Sequence, residues 1–125
     1  MEVFDRSILP AWVESNHARP VNINTVVTEL EAGKIFGIIR GRCEHGPRSL
    51  GNRSIICNPA FPMMKDILNS KVKHREWYRP FAPVVRLEDV SEYFEWEGES
   101  KYMMFCPNVK DKWRSKLEAI THVDG

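Results

Sequence analysis

Gly41-Arg-Cys-Glu-His-Gly-Pro-Arg-Ser-Leu-Gly-Asn-Arg-Ser54 and, further on, Lys71-Val-Lys-His-Arg-Glu-Trp-Tyr-Arg-Pro-Phe-Ala-Pro83 occupy the centre of this 125-residue chain. Between Gly41 and Arg86 stand nine cations (Arg42, Arg48, Arg53, Lys65, Lys71, Lys73, Arg75, Arg79 and Arg86) against three acids (Glu44, Asp66 and Glu76), a net of +6. The rest of the chain carries −5, so the overall charge of +1 conceals a cationic centre. Charge focused in this way attracts phosphates or carboxylates.

On either side of the glycine-rich loop lie two short apolar runs. Lys34-Ile-Phe-Gly-Ile-Ile-Arg40 has the pattern of a buried strand, and Arg53-Ser-Ile-Ile-Cys57 reads as another. Upstream, Ile23, Val26, Val27 and Leu30 recur at i, i+3, i+4 and i+7, with Asn22 as N-cap and Gly33 just past the end, which predicts an amphipathic helix. Downstream, Phe61 to Asn69 predicts a helix with Pro62 in its first turn. Lys71 to Arg79 reads as a connector. Ala82 to Arg86 is a short strand that Pro83 pushes towards an edge or bulge. Leu87, Val90, Tyr93 and Phe94 mark another helix, with Glu88 and Asp89 suiting its N-terminal end. Tyr102 to Cys106 reads as a strand, Lys110 to Leu117 as a charged helical turn, and Ala119 to Val123 as the start of a strand. The fold class is α/β in the mixed α+β sense, a twisted sheet with flanking helices.

Length places the chain in the range of one modest domain. Residues 1–20, with Pro10, Trp12 and Pro20 and no clean period, read as an irregular lead-in or linker; residues 21–125 read as the domain. An ending on an apparent strand and Asp124-Gly125 predicts that this domain is incomplete at its C-terminal end. No apolar run is long enough for a membrane span and no secretory pattern opens the chain, so a soluble, cytoplasmic protein is expected. Cys43, Cys57 and Cys106 are odd in number and form no Cys-x-x-Cys pair, which argues against a disulfide framework or a structural zinc site.

Gly41, Gly46 and Gly51 permit backbone angles and close approaches that a side chain forbids, and Arg42, Arg48 and Arg53 are placed to surround an anion. Arginine's planar fork holds a phosphate or carboxylate through two parallel hydrogen bonds. The spacing fits neither a P-loop nor a dinucleotide-binding fingerprint. On an extended backbone Lys73 and Arg75 project to one side, with His74 to the other. Arg79 precedes Pro80, which favours an extended conformation and a fixed turn. The plainer reading of this segment is a solvated basic face with Glu76 as a surface partner. His45 is a candidate proton carrier, histidine being the residue type suited to that role, though a hydrogen-bonding loop residue is commoner. His122 and Asp124, on one face of a strand end, suit either structure or substrate contact. Cys43 has arginine neighbours but no evident general base. Trp77 and Tyr78 read as core residues before they read as a base-stacking pair, and Met63, Met64, Met103 and Met104 as packing residues.

Taken in order, the Gly41–Ile55 loop, Met64-Lys-Asp-Ile-Leu-Asn69, the Lys71–Pro83 segment and Ile120-Thr-His-Val-Asp-Gly125 resemble the C-terminal domain of the O-carbamoyltransferases, which modify antibiotics and nodulation factors. The resemblance runs from about Ala32 to Gly125; residues 1 to about 20 match nothing. In that family an N-terminal domain, akin to the universal tRNA-modification protein and actin-type ATPases, transfers the carbamoyl group. The C-terminal domain is similar to threonylcarbamoyladenylate synthases. The resemblance implies that carbamoyl phosphate and ATP give carbamoyladenylate, with release of pyrophosphate, for transfer to a hydroxyl-bearing small molecule. It places Lys73 and Arg75 at a Lys-x-Arg signature and Arg48 in a Gly-Pro-Arg-x-Leu-Gly loop as the catalytic residues. Arg79, Arg53, His45, Gly46 and Gly51 follow as substrate- or nucleotide-binding residues. Magnesium is expected with ATP through phosphate oxygens, and no metal ligand is assigned.

Two departures from the family pattern follow: the transferase domain is absent from these residues, and so is the later Ser-Phe-Asn segment of the synthase signature. Weak binding and little catalysis by the chain alone are therefore expected, with association through an exposed sheet edge. The competing class is a non-catalytic module in which the basic centre and Trp77–Tyr78 hold RNA or single-stranded DNA, the less favoured reading. A fragment that docks onto a separate transferase chain is a third.

Overall fold

The computed structural model describes residues 11, 14, 15 and 21–125. The predicted lead-in therefore falls almost wholly outside the described residues. Helix α1 spans Ile23–Glu31; the Asn22 side chain accepts the Asn24 N–H at 2.9 Å, and the chain leaves through Gly33 at φ +83°. Gly33 also lets the Phe61 ring approach, since a Cβ there would lie 3.3 Å from it.

Strands β1 (Phe36–Ile39) and β2 (Arg53–Ile56) pair antiparallel, in a register from Phe36 opposite Ile56 to Ile39 opposite Arg53. Their side chains alternate as a half-covered strand requires: Phe36 and Ile38 are half-buried, whereas Ile39 is 81% exposed. The expectation of a buried strand is thus corrected, because one face of the hairpin has nothing packed on it among the described residues. The mixed α+β class holds, with this hairpin as the sheet.

Helix α2 (Met64–Ile67) follows a turn through Pro62 and passes into a π turn, Leu68–Val72, closed by Lys73 N–H to Leu68 C=O at 2.8 Å. Widening the helix brings consecutive residues, Leu68 and Asn69, to the buried side together. Met64, Leu68 and Ala119 form the core, with Ile35, Cys57 and Phe81 packed against it. This cluster ties the start of β1, the end of β2 and the end of the second basic segment to one helix. Burial raises the Cys57 thiol above its ordinary pKa, which suits an inert packing residue.

A 3-10 turn, Leu87–Asp89, leads into α3 (Val90–Tyr93), and α4 spans Asp111–Arg114. An isolated bridge between Phe94 and Val109 and a tilted ring contact of Tyr93 with Trp113, centroids 4.8 Å apart, hold this end together.

Three predicted strands do not form. Residues 82–86 carry Pro83, which cannot donate to a ladder, and meet no partner strand. In 102–106, Met103 takes φ +55°, incompatible with an extended run. Residues 119–123 follow successive turns, with Ile120 and Thr121 N–H both bonded to Leu117 C=O at 3.1 Å. Of the four methionines expected to pack, only Met64 is buried; Met63 and Met104 are 63% and 75% exposed. No helix among the described residues is long and apolar enough to cross a membrane.

Candidate anion site

Glu44 is the one acid inside the Gly41–Ser54 loop, and it organises that loop. Its Oε1 accepts the Leu50 N–H at 2.7 Å and its Oε2 the Arg53 N–H at 3.1 Å. A carboxylate accepting two backbone N–H groups makes charge-assisted bonds, stronger than neutral ones. Arg40 Nε donates to Gly51 C=O at 3.0 Å, and Asn52 Nδ2 to Arg42 C=O at 3.1 Å, so the two limbs of the loop are laced together. Gly41, Gly46 and Gly51 take φ of +55°, +109° and +109°, the freedom expected of them.

Arg53 belongs to this lacing. Its Nη1 donates to Arg40 C=O at 2.7 Å and Asn52 C=O at 2.9 Å, and its Nη2 lies 3.6 Å from the Cys43 sulfur. Arg48 differs: it is exposed, bonded only to the adjacent Pro47 C=O at 3.4 Å, and leaves its fork facing solvent. His45 is exposed on the same loop.

The second basic segment is organised by Asn69, 1% exposed at the end of the π turn. Asn69 Nδ2 donates to Trp77 C=O at 3.1 Å and Arg79 C=O at 3.0 Å, while its Oδ1 accepts from Arg75 Nε at 2.8 Å. Arg75 also lies over the Phe81 ring, 4.6 Å from its centroid, a cation–π arrangement that fixes the guanidinium plane. Arg79 pairs with Glu76 at 2.8 Å. A backbone N–H at its own position, then the Arg79 charge, hold the Glu76 carboxyl below the usual range.

Lys73 and Arg75 do not lie on the extended backbone expected to project both to one side. Lys73 is helical in backbone angle, and His74 takes φ +49°, the left-handed conformation that commonly ends a helix. The cause is the end of the π turn, where Lys73 and Arg75 N–H groups fold back to Leu68 and Asn69 C=O. Lys73 is left exposed and Arg75 is half-buried. Trp77 and Tyr78, expected in the core, are 72% and 58% exposed because the chain on either side of Tyr78 is pinned to Asn69.

No hydrogen bond or ion pair among the described residues joins the two segments; they meet through the core, where Cys57 and Phe81 pack on the same cluster. Sequence reasoning missed Glu44 and Asn69, the residues that shape both loops. The signals were an isolated acid among arginines, and an amide next to Leu68 at the end of an apolar helical face.

Elsewhere acids are spent on cations: Glu29 on Lys34, Glu92 on Lys112, Glu99 on Lys101, Glu88 and Asp89 on Arg86. Arg42, Arg48, Lys65, Lys71 and Lys73 have no carboxylate partner among the described residues. His122 Nδ1 lies 2.6 Å from Asp124 Oδ1, and that hydrogen bond lowers the Asp124 carboxyl pKa.

Cations without a carboxylate partner among the described residues thus stand on two internally bonded loops in a small α+β frame. A family model for the carbamoyltransferase C-terminus matches residues 27–125, and the chain belongs to that family. Among its relatives, nodulation protein NolNO of Sinorhizobium fredii is 48% identical over 96 residues, covering 74% of this chain and 14% of that protein. The 3'-hydroxymethylcephem-O-carbamoyltransferase of Amycolatopsis lactamdurans is 40% identical over 108 residues, 86% of this chain and 20% of that protein. Nodulation protein U of Rhizobium fredii is 37% identical over 121 residues, 97% of this chain and 20% of that protein. The chain spans 20% or less of the length of each of these three.

Proposed function

We propose that the chain is part of an O-carbamoyltransferase and that its cationic centre binds ATP and a carbamoyl donor for adenylation of the carbamoyl group. The observation that carries this reading is the set of unpaired cations, Arg48 and Lys73 above all, on loops held from within by Glu44 and Asn69. Uncompensated cations on a held backbone attract anions without first breaking an internal ion pair, and they stabilise charge that accumulates during reaction.

In this reading carbamoyl phosphate loses its phosphate to water and supplies carbamate. A carbamate oxygen bonds to the α-phosphorus of ATP, the bridging bond to the β-phosphate breaks, and pyrophosphate leaves. Lys73 steadies the phosphates as a point charge. Arg48 holds the carbamoyl phosphate or carbamate through its fork. Arg75, anchored by Nε, has an Nη1 with no protein hydrogen bond and turns that edge to the nucleotide. Arg53, Gly46 and Gly51 shape the loop, and His45 on that loop and Arg79 on the second segment complete the substrate- and nucleotide-binding set. Magnesium accompanying ATP would be held mainly through phosphate oxygens, where it would offset charge on the nucleotide. The carbamoyladenylate then passes to a transferase domain for attack by an acceptor hydroxyl. The exposure of Arg48 and Lys73 supports the expectation of weak binding and little turnover by the chain alone.

Calorimetric titration of the chain with ATP and Mg²⁺, with and without carbamoyl phosphate and at two salt concentrations, tests this. Saturable binding, selective for ATP over other nucleotides and with a mild salt slope, supports it. Steep salt dependence together with tighter binding of single-stranded RNA supports the nucleic-acid module instead. Turnover at an ordinary enzyme rate by the chain alone would overturn the expectation of little catalysis.

A further inference from the structure

Trp77 and Tyr78 combine two properties that seldom coincide. Their backbone is fixed on both sides by the most buried polar side chain of the described residues, Asn69, yet most of each ring lies in water. The rings meet edge to face with centroids 5.9 Å apart, so the pair is ordered as a unit. Large aromatics ordinarily gain their stabilisation by burial. A rigid, exposed pair instead suits a ligand that completes the burial.

Opposite the pair, residues 119–123 close a cleft of about 250 Å³, with Lys65, Trp77, Tyr78 and Pro80 on the other side. Pockets for whole drug-sized ligands run to about 300–1,000 Å³, so this one is sized for a single ring system. Its polar groups are few. Lys65 has no carboxylate partner among the described residues. The Thr121 hydroxyl donates to Leu117 C=O at 2.9 Å, which leaves only its lone pairs for a ligand. His122 engages Asp124 through Nδ1, which leaves Nε2 without a protein partner.

We infer that this cleft receives the purine base of a mononucleotide, stacked against Trp77–Tyr78, with Lys65 marking the side where the phosphates leave. The inference rests on the reading that the basic centre holds a nucleotide, and adds where its base goes. A mononucleotide fits better than a nucleic-acid strand because one aromatic pair offers one platform, whereas strand binders stack successive bases along a groove.

The 125-residue chain is titrated with ATP, CTP and inorganic tripolyphosphate, all with Mg²⁺, alongside Trp77→Ala, Trp77→Phe and Lys73→Ala. The expected result is tighter binding of ATP than of tripolyphosphate, a loss of about tenfold for ATP in Trp77→Ala with tripolyphosphate unchanged, and recovery of most of that loss in Trp77→Phe. Lys73→Ala weakens both ligands. Equal binding of ATP and tripolyphosphate, with Trp77→Ala indifferent to both, overturns the base cleft while leaving the phosphate site standing. Binding of neither ligand by folded chain overturns both readings, and an oligonucleotide that outcompetes ATP at the aromatic pair overturns the mononucleotide assignment. As a check independent of any variant, the Trp77 indole N–H resonance of the wild-type chain shifts on addition of AMP and stays fixed on addition of tripolyphosphate.

Discussion

The Gly41–Ser54 loop and the Lys71–Phe81 segment carry similar charge and are built on opposite plans. In the first, an anion, the half-buried Glu44 carboxylate, collects backbone N–H groups. In the second, a neutral amide, Asn69, sits in the interior and gathers two carbonyls and a guanidinium. The consequence differs too. A carboxylate in a basic loop spends negative charge to hold the loop and leaves Arg48 uncompensated, whereas the amide immobilises Arg75 without neutralising it. Both plans hold the backbone from within and leave cations on it with no carboxylate partner among the described residues. The interior plan is the less tolerant, because a buried polar group stripped of its partner cannot turn to water.

That contrast ranks the effects of substitution. Asn69→Ala is expected to be the most damaging, since it leaves the Trp77 and Arg79 carbonyls and Arg75 Nε unpaired; a cost of about 3 kcal/mol in urea unfolding follows from about 1–3 kcal/mol per buried group left unsatisfied. A loss below about 0.5 kcal/mol, as for ordinary surface changes, would break the distinction between the two plans. Glu44→Ala should cost less, about 1–2 kcal/mol, because the freed N–H groups of an exposed loop can bond to water. Its mark should be faster amide exchange at Leu50 and Arg53. His74→Gly should stabilise by up to about 1 kcal/mol, relieving a left-handed conformation at φ +49° that glycine adopts freely. Unchanged or lowered unfolding midpoints would mean that His74 has compensating contacts.

The smallest effect concerns pH. Glu76 has its pKa lowered on folding, so its contribution to stability is fully present above its ordinary value of 4.5 and is lost as pH falls below it. Glu76→Gln should therefore flatten slightly the acid limb of a stability-against-pH curve, in that window only. Because the pair with Arg79 is exposed, unfolding midpoints near neutrality should hardly move.

Much of the local fold was legible in the sequence. Helix α1, with Asn22 and Gly33 at its ends, and the two strands around the glycine-rich loop declare themselves through caps, period and turn residues, all local signals. The strands expected at 82–86, 102–106 and 119–123 were misread because an apolar run specifies a strand only when another strand stands beside it. Proline and left-handed backbone decided otherwise at the first two. Arg48 and Lys73 could be picked out by charge, and both are exposed with no carboxylate partner among the described residues. Arg53 and Arg75 could not be told from them in sequence, since what separates the two kinds is whether a carbonyl or an amide lies within reach, a tertiary fact. Trp77 and Tyr78 misled for the same reason: their residue types suggest burial, and the pinned backbone keeps them out of the core.

The claim that matters most is that Arg48 on the first segment and Lys73 on the second meet different parts of the ligand. Calorimetric titration of the wild-type chain, Arg48→Ala and Lys73→Ala with ATP and Mg²⁺, before and after saturation with carbamoyl phosphate, tests it directly. The account predicts that Lys73→Ala weakens ATP binding itself. Arg48→Ala should spare ATP and abolish the effect of carbamoyl phosphate, and both variants should remain folded. Two variants that bind both ligands as the wild type does would contradict it.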